Sequence, residues 1–193
     1  MIDAMRGEDE RSQATEKIFP VMPLCPYNPC MPADTSETGG PAFSCDAMLG
    51  GLARWLRAAG YDASWRAGID DTVLVREALR EARVLLTSDT GIMDRGAVST
   101  GRVRALFIPH GMTKFEQLRF VIRELGLSLL DPRCMRCGGR LKSIPKAAAR
   151  PEAPPRAFAW KDEFFRCRRC AKLFWQGTHW HRIREKLAQL KHI

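Results

Sequence analysis

The sequence predicts an α/β fold, in which a parallel sheet with helices on both faces is followed by a small module built around cysteines. Two observations support this. Between residues 42 and 130, short apolar runs alternate with segments whose apolar residues recur at helical spacing. Strands that are apolar on both sides are typical of parallel sheets covered by helices. After residue 131, two Cys-x-x-Cys pairs replace this alternation.

The elements of the sheet follow one another in a regular β-α order. The predicted strands are AFSC (42–45), YDASW (61–65), RVLLTS (83–88), VRALFI (103–108) and LSLL (127–130). The first helix carries apolar residues from Met48 to Ala59 and stops at Gly60, since glycine commonly follows the end of a helix. Asp70 or Asp71 can cap the second helix, and Thr113 can cap another that runs to Glu124.

The basic character of the chain is concentrated in its last third. Residues 1–41 contain 3 Lys/Arg and 7 Asp/Glu, residues 42–130 contain 12 and 10, and residues 131–193 contain 16 and 5. A strongly basic segment like residues 131–193 is typical of a protein that binds a polyanion. The alternative is a cationic surface that only keeps the protein soluble. No run of 18 apolar residues and no secretory signal is present, so we expect a cytoplasmic protein without a membrane partner.

Residues 1–41 have no periodic apolar pattern and end in a stretch rich in Pro, Gly and small polar residues. This composition predicts a disordered tail. Cys25 and Cys30 lie within it, and we interpret them as free thiols because no second pair is near.

Acidic residues follow the predicted strands at one edge of the sheet. Asp46 and Asp89 end the first and third strands, and Asp71, or its neighbour Asp70, begins the helix after the second. Ligands of open parallel sheets bind outside the carboxyl ends of the strands, and crowded carboxylates attract hard cations such as Mg²⁺ or Mn²⁺. Each aspartate could instead be a helix cap or a turn residue. Asp94 is better explained as a surface residue.

Four of the seven cysteines form two pairs at metal-ligand spacing. Cys134 and Cys137 are separated by 29 residues from Cys167 and Cys170. Four thiolates complete a tetrahedral Zn²⁺ shell, so the predicted zinc is structural. His179 and His181 are therefore not expected to be ligands.

Charged and aromatic residues are interleaved around the second cysteine pair. Aromatic rings can stack on unpaired bases while cations follow the phosphates, although we assign at least half of these aromatics to the core of the module. The candidate nucleic-acid-binding residues are Arg166, Arg168, Arg169, Lys172 and Trp175.

Four motifs resemble the Mut-seven C-terminal ribonuclease domain family, a PIN-like nuclease fold followed by a zinc ribbon. They are DAMLGGLARWLRAAGYD (46–62), LLTSD (85–89), the two cysteine pairs and WQGTHW (175–180). The resemblance implies that Asp46, Asp71 and Asp89 hold Mg²⁺ or Mn²⁺ and that the four cysteines hold zinc. The chain departs from the broader PIN pattern because no fourth acid is evident, with Asp94 or Asp70 as the candidates.

The predicted organisation is a tail (1–41), a PIN-like nuclease domain (42–130) and a zinc ribbon with a basic C-terminal helix (131–193). The predicted function is a metal-dependent ribonuclease that hydrolyses phosphodiester bonds at the acidic triad while the basic ribbon holds RNA. The alternative is a non-catalytic RNA-binding or adaptor protein in which the carboxylates are caps and the zinc module binds RNA. The sequence favours no particular oligomeric state.

Overall fold

The computed structural model describes residues 40–190. Its first part contains β1 (Phe43–Cys45), a 3₁₀ turn (Ala47–Leu49), α1 (Gly50–Ala58), β2 (Ala63–Trp65), α2 (Asp71–Arg80), β3 (Val84–Thr87), α3 (Thr90–Met93), α4 (Gly96–Ser99), β4 (Ala105–Phe107) and α5 (Lys114–Glu124). Its second part contains β5 (Leu141–Ile144), α6 (Lys146–Ala149), α7 (Pro155–Trp160), β6 (Phe164–Cys167), β7 (Leu173–Trp175) and α8 (Thr178–Ala188).

The first four strands form one parallel sheet in the order β2-β1-β3-β4. In the register, Phe43 lies opposite Ala63 on one side and Val84 on the other, and Thr87 lies opposite Phe107. All four residues of β3 are buried. The α/β prediction is therefore confirmed, because β1 and β3 are central strands that need apolar residues on both faces.

Helices cover both faces of this sheet. Leu86 belongs to one apolar cluster with residues of α1, α5 and α8, whereas its neighbour Leu85 belongs to a second cluster with residues of α2, α3 and α4. Successive strand residues point to opposite faces. The sheet is thus the middle layer of a three-layer structure, and α8 contributes to the same core as α1 and α5.

Two of the predicted helix starts have the expected caps. The Asp70 side chain accepts hydrogen bonds from the backbone N–H groups of Thr72 and Val73, so Asp70 caps α2 and Asp71 is its first residue. Thr113 and Glu116 form a reciprocal capping box at the start of α5. Because α2 follows β2 and α5 follows β4, both helices begin at the carboxyl edge of the sheet.

The cysteine-containing part forms an antiparallel sheet in the order β5-β6-β7. Its small core contains Phe164, Leu173 and Ala149. Trp175 and Phe158 pack against that core, so at least one of the aromatics considered for RNA binding has a packing role.

The predicted fifth strand, LSLL, is not a strand. Leu127, Leu129 and Leu130 pack against the main apolar cluster, but the segment bonds to helices and a turn instead of a sheet. The Leu127 N–H donates to Ile122, and the Leu130 N–H donates to Ala59 at the end of α1. The apolar run therefore reflects burial, which a short strand and a packed loop share.

The predicted tail, with Cys25 and Cys30, lies almost entirely outside the described residues, and the domain boundaries remain predictions. Within residues 40–190, every helix is too short or too polar to cross a membrane.

Candidate active site and metal centre

Two aspartates follow adjacent strands at the carboxyl edge of the sheet. Asp46 directly follows β1, and Asp89 lies two residues after β3, the strand that pairs with β1. The Asp46 N–H donates to the carbonyl of Leu86 at 3.0 Å, which extends the β1–β3 ladder to the end of the strand. The position of Asp46 is thus set by the sheet.

Thr87 connects these two aspartates. Its hydroxyl Oγ1 donates to Asp46 Oδ2 at 2.8 Å and accepts from the Asp89 backbone N–H at 3.0 Å. Thr87 is fully buried and Asp46 is 6% exposed, whereas Asp89 is exposed. The buried Thr87 hydroxyl therefore fixes the direction of the Asp46 carboxylate relative to the backbone of Asp89.

The other acidic residues of this edge have separate partners. Asp89 Oδ1 accepts from the Gly91 N–H at 2.7 Å and caps α3. Asp71 Oδ2 lies 3.2 Å from Arg95 Nη2, and both side chains are more than one-third exposed. Backbone N–H groups, first that of Val73, hold the pKa of Asp70 below its ordinary value. Hence Asp70 is a capping residue with a satisfied carboxylate.

The predicted acidic residues approach the same edge but do not form a close cluster. Among the residues that the structure describes, the only set of three or more His, Cys, Asp or Glu ligand atoms all within 4.8 Å of one another is the four cysteines. Asp46, Asp71 and Asp89 therefore lack the mutual distances of a completed metal cage. Asp94 is exposed at the end of α3, and its side chain adds no ligand to such a cluster.

The cysteine cluster fits a tetrahedral zinc ion. The Sγ atoms of Cys134 and Cys170 are 3.6 Å apart, and those of Cys137 and Cys167 are 3.5 Å apart. Zn–S bonds of about 2.3 Å place tetrahedral sulfur ligands about 3.8 Å apart. These four residues could therefore hold one Zn²⁺ with no open coordination position, as expected of a structural site.

Local structure acts in opposite directions on two of these thiols. Burial raises the pKa of Cys134 to about 12. Burial also acts on Cys167, but there the backbone N–H groups of Cys170 and Arg169 outweigh it and lower the pKa to about 7. Because the thiolate is the form that binds metal, Cys167 supplies a ligand near neutral pH. A Cβ atom at Gly139 would lie 2.8 Å from Cys167 Sγ, so this turn needs glycine.

The first cysteine turn docks on the amino edge of the parallel sheet, opposite the carboxylates. Arg57, near the end of α1 and 4% exposed, donates to the carbonyls of Ala63, Met135 and Arg136. Arg133 donates to the carbonyl of Gly60 at 3.0 Å. Since α1 starts at the carboxyl edge and runs back across the sheet, these contacts lie at its far end.

Most of the predicted RNA-binding residues have partners within the protein. Arg166 pairs with Glu152 at 2.6 Å, Arg169 donates to the carbonyl of Cys137 at 2.8 Å, and the Lys172 ammonium lies over the Phe174 ring. Trp175 is half-buried against the ribbon core. Arg168 is exposed. His179 and His181 are exposed on the first turn of α8, outside the cysteine cluster.

The comparison with known families adds an independent observation. The family model of the Mut7-C RNAse domain matches residues 41–187, most of the chain and nearly all of its described part. The chain belongs to the Mut7-C RNAse domain family. Membership indicates a ribonuclease-like function with RNA as substrate or partner. No curated protein and no solved structure matches the chain.

Sequence reasoning missed three residues that organise this Mut7-C domain. Thr87 ends a buried strand two residues before an acidic one, and a polar residue at such a position is a signal that the sequence does offer. Arg57 lies on the buried side of α1, and an arginine at an apolar helix position indicates a specific partner. Arg95 is paired with Asp71 only through tertiary contact, and no sequence signal predicts this.

Proposed function

We propose that this Mut7-C domain is a metal-dependent ribonuclease that hydrolyses RNA phosphodiester bonds at the carboxyl edge of its sheet. The observation that carries the proposal is that the Thr87 hydroxyl joins the Asp46 carboxylate to the Asp89 backbone, in a chain of an RNase domain family. Asp46 and Asp89 would hold Mg²⁺ or Mn²⁺, and Asp71 would contribute from the neighbouring loop. Carboxylate oxygens are the ligands that these hard cations prefer.

Such an ion supplies two effects when bound: it lowers the pKa of water and neutralises charge on the phosphodiester. The chain's own residues supply the geometry. The Thr87 hydroxyl keeps one Asp46 oxygen in a fixed direction, and the Asp89 N–H fixes that hydroxyl in turn. Asp71 pairs only with a half-exposed Arg95. An exposed ion pair of this kind contributes little energy, so Asp71 can exchange partners.

The zinc site has a structural role in this proposal. Zn²⁺ would join Cys134 and Cys137 to Cys167 and Cys170, and the basic residues of the ribbon would contribute to RNA binding. A cytoplasmic location is also part of the proposal, because zinc binding requires reduced thiols.

The test compares Asp89→Asn with the wild type on a mixed RNA pool in Mg²⁺ and in Mn²⁺. Asparagine is as good a helix cap as aspartate, so α3 should persist while the charge is lost. We expect cleavage to fall by about 100-fold or more, since loss of even an outer partner of a metal ligand costs about 10–100-fold. Asp46→Asn should give a similar loss.

The matched control is Asp162→Asn, which changes an exposed aspartate of the ribbon that pairs with Lys146. It should cleave like the wild type. A folded Asp89→Asn protein that binds RNA and cleaves at the wild-type rate in Mn²⁺ would overturn the proposal.

The second candidate is a non-catalytic RNA-binding or adaptor protein. It is favoured by the caps that Asp70 and Asp89 provide and by the lack of a close three-carboxylate cluster among the described residues. It predicts that the purified wild type never cleaves RNA in either metal. Salt-sensitive RNA binding would then survive the combined loss of Asp46, Asp71 and Asp89.

A further inference from the structure

We propose that RNA reaches the acidic edge mainly along a basic groove on the outer side of α5, and that the zinc ribbon adds only secondary contacts. This inference rests on the proposed function, because it names the path of the substrate to the same site. The groove is formed by the loop after β4 and one side of α5. Its lining residues are His110, Gly111, Met112, Glu116, Arg119, Phe120 and Arg123.

One end of the groove, the loop after β4, lies at the same edge of the sheet as the acidic residues. Phe107, at the end of β4, lies opposite Thr87 in the sheet, and the Ile108 N–H donates to the Thr87 carbonyl at 2.7 Å. His110 lies two residues beyond Ile108, as Asp89 lies two residues beyond Thr87. The loop that forms the mouth of the groove and the chain segment that carries Asp89 therefore leave adjacent strands at the same edge.

The charge of the groove suits a polyanion. Arg119, Arg123 and His110 are exposed along it. Glu116 is its only acidic lining residue, and its Oε2 already accepts from the Thr113 N–H at 2.7 Å. Arg123 pairs with Glu124 at 3.0 Å, but its side chain is 62% exposed, so a phosphate can compete with this weak pair.

Aromatic rings line the same path. The Phe120 ring is half-buried, with the Arg123 guanidinium 5.9 Å from its centroid. The His110 ring meets the Phe107 ring edge to face at 6.0 Å. Rings beside cations are the combination that binds single strands, since bases stack on rings while cations follow the phosphates.

The zinc ribbon is less well placed for this role. Its first cysteine turn contacts Arg57 and Arg133 at the opposite edge of the sheet. Arg166 and Arg169 already bind Glu152 and the Cys137 carbonyl. A strand held only by these residues would lie across the sheet from Asp46 and Asp89.

The experiment measures the Kd of a fluorescently labelled single-stranded RNA by anisotropy, with the full chain, over a range of salt concentrations. The variants are Arg119→Glu and Arg123→Glu. The matched control is Arg80→Glu, because Arg80, like Arg123, lies in the last turn of a helix and pairs with the next residue, Glu81, and it is 68% exposed on the opposite face of the sheet. Thermal melts establish that all variants are folded.

We expect each α5 variant to raise Kd about tenfold and to lower the salt slope by about one, as loss of a phosphate contact does. In cleavage assays the loss should appear mainly in KM. Arg80→Glu should stay within about twofold of the wild type.

If both α5 variants bind RNA with the Kd of the wild type, the inference is overturned. It is also overturned if the wild type does not bind RNA. Loss of binding in Arg168→Glu alone would assign RNA to the ribbon. These results are separable from failure of the proposed function, which would appear as a wild type that binds RNA through α5 but does not cleave it.

Discussion

The two edges of the parallel sheet are built in opposite ways. At the amino edge, Arg57, Arg83 and Arg133 are buried or half-buried, and each donates to backbone carbonyls of neighbouring segments. At the carboxyl edge, Asp71 and Asp89 are at least partly exposed; Asp71 pairs with Arg95, and Asp89 caps α3. Arginine side chains thus close one edge, while at the other edge Asp46 is buried and Asp71 and Asp89 remain accessible.

This difference suggests that the amino edge stabilises the fold, whereas the carboxyl edge provides the groups for chemistry. Among residues 40–190, no buried side-chain nitrogen or oxygen lacks a hydrogen-bond partner, and a satisfied buried network holds its elements in one arrangement. A carboxylate that is partly exposed retains lone pairs for a cation. We therefore expect changes at the amino edge to reduce stability first and changes at the carboxyl edge to reduce activity first.

The largest effect should come from the cysteine turn at the amino edge. Cys134→Ser should abolish stoichiometric zinc binding and unfold the ribbon, because structural zinc contributes on the order of 10 kcal/mol to folding. Zinc content by mass spectrometry and circular dichroism check this. Cys170→His, which supplies another zinc ligand, should retain the metal. Full zinc occupancy in Cys134→Ser would contradict the assignment.

A smaller effect should follow from removal of the arginine that joins the cysteine turn to α1. Arg57→Gln loses hydrogen bonds to carbonyls of Met135 and Arg136, and we expect the free energy of unfolding to fall by about 3 kcal/mol. Chemical denaturation measures this. Arg54→Gln, on the exposed side of the same helix, should change stability by less than about 0.5 kcal/mol. Equal stability of the two variants would remove the contrast between the edges.

The smallest effect on stability, with a clear effect on activity, should come from Thr87 at the carboxyl edge. Thr87→Val leaves Asp46 Oδ2 and the Asp89 N–H without this partner, which should cost about 1–3 kcal/mol. Cleavage should fall about 10–100-fold, as for the loss of an outer partner of a metal ligand. Thr87→Ser keeps the hydroxyl and should retain both properties. Wild-type cleavage by a folded Thr87→Val protein would show that this hydroxyl does not organise the site.

The sequence predicted those helix starts and strands that depend only on residues close to one another in the chain. The Thr113 cap, the Asp70 or Asp71 start of α2 and the apolar β3 are each decided by residues within one turn or one strand. LSLL was predicted wrongly as a strand, because an apolar run that is buried against α1 is compatible with either a strand or a loop. The candidate acidic site was predicted as a shared edge, but its pairing of Asp71 with Arg95 depends on contacts 24 residues apart.

The sequence by itself determined the layered α/β fold, the cysteine ligand set and the edge at which acidic residues collect. These follow from periodicity, spacing and the rule that parallel strands share one direction. Only the tertiary structure decided that the cysteine module docks at the opposite edge, that Thr87 joins Asp46 to Asp89, and that many ribbon cations already have partners. Such outcomes depend on distances between segments far apart in the chain, which no local pattern encodes.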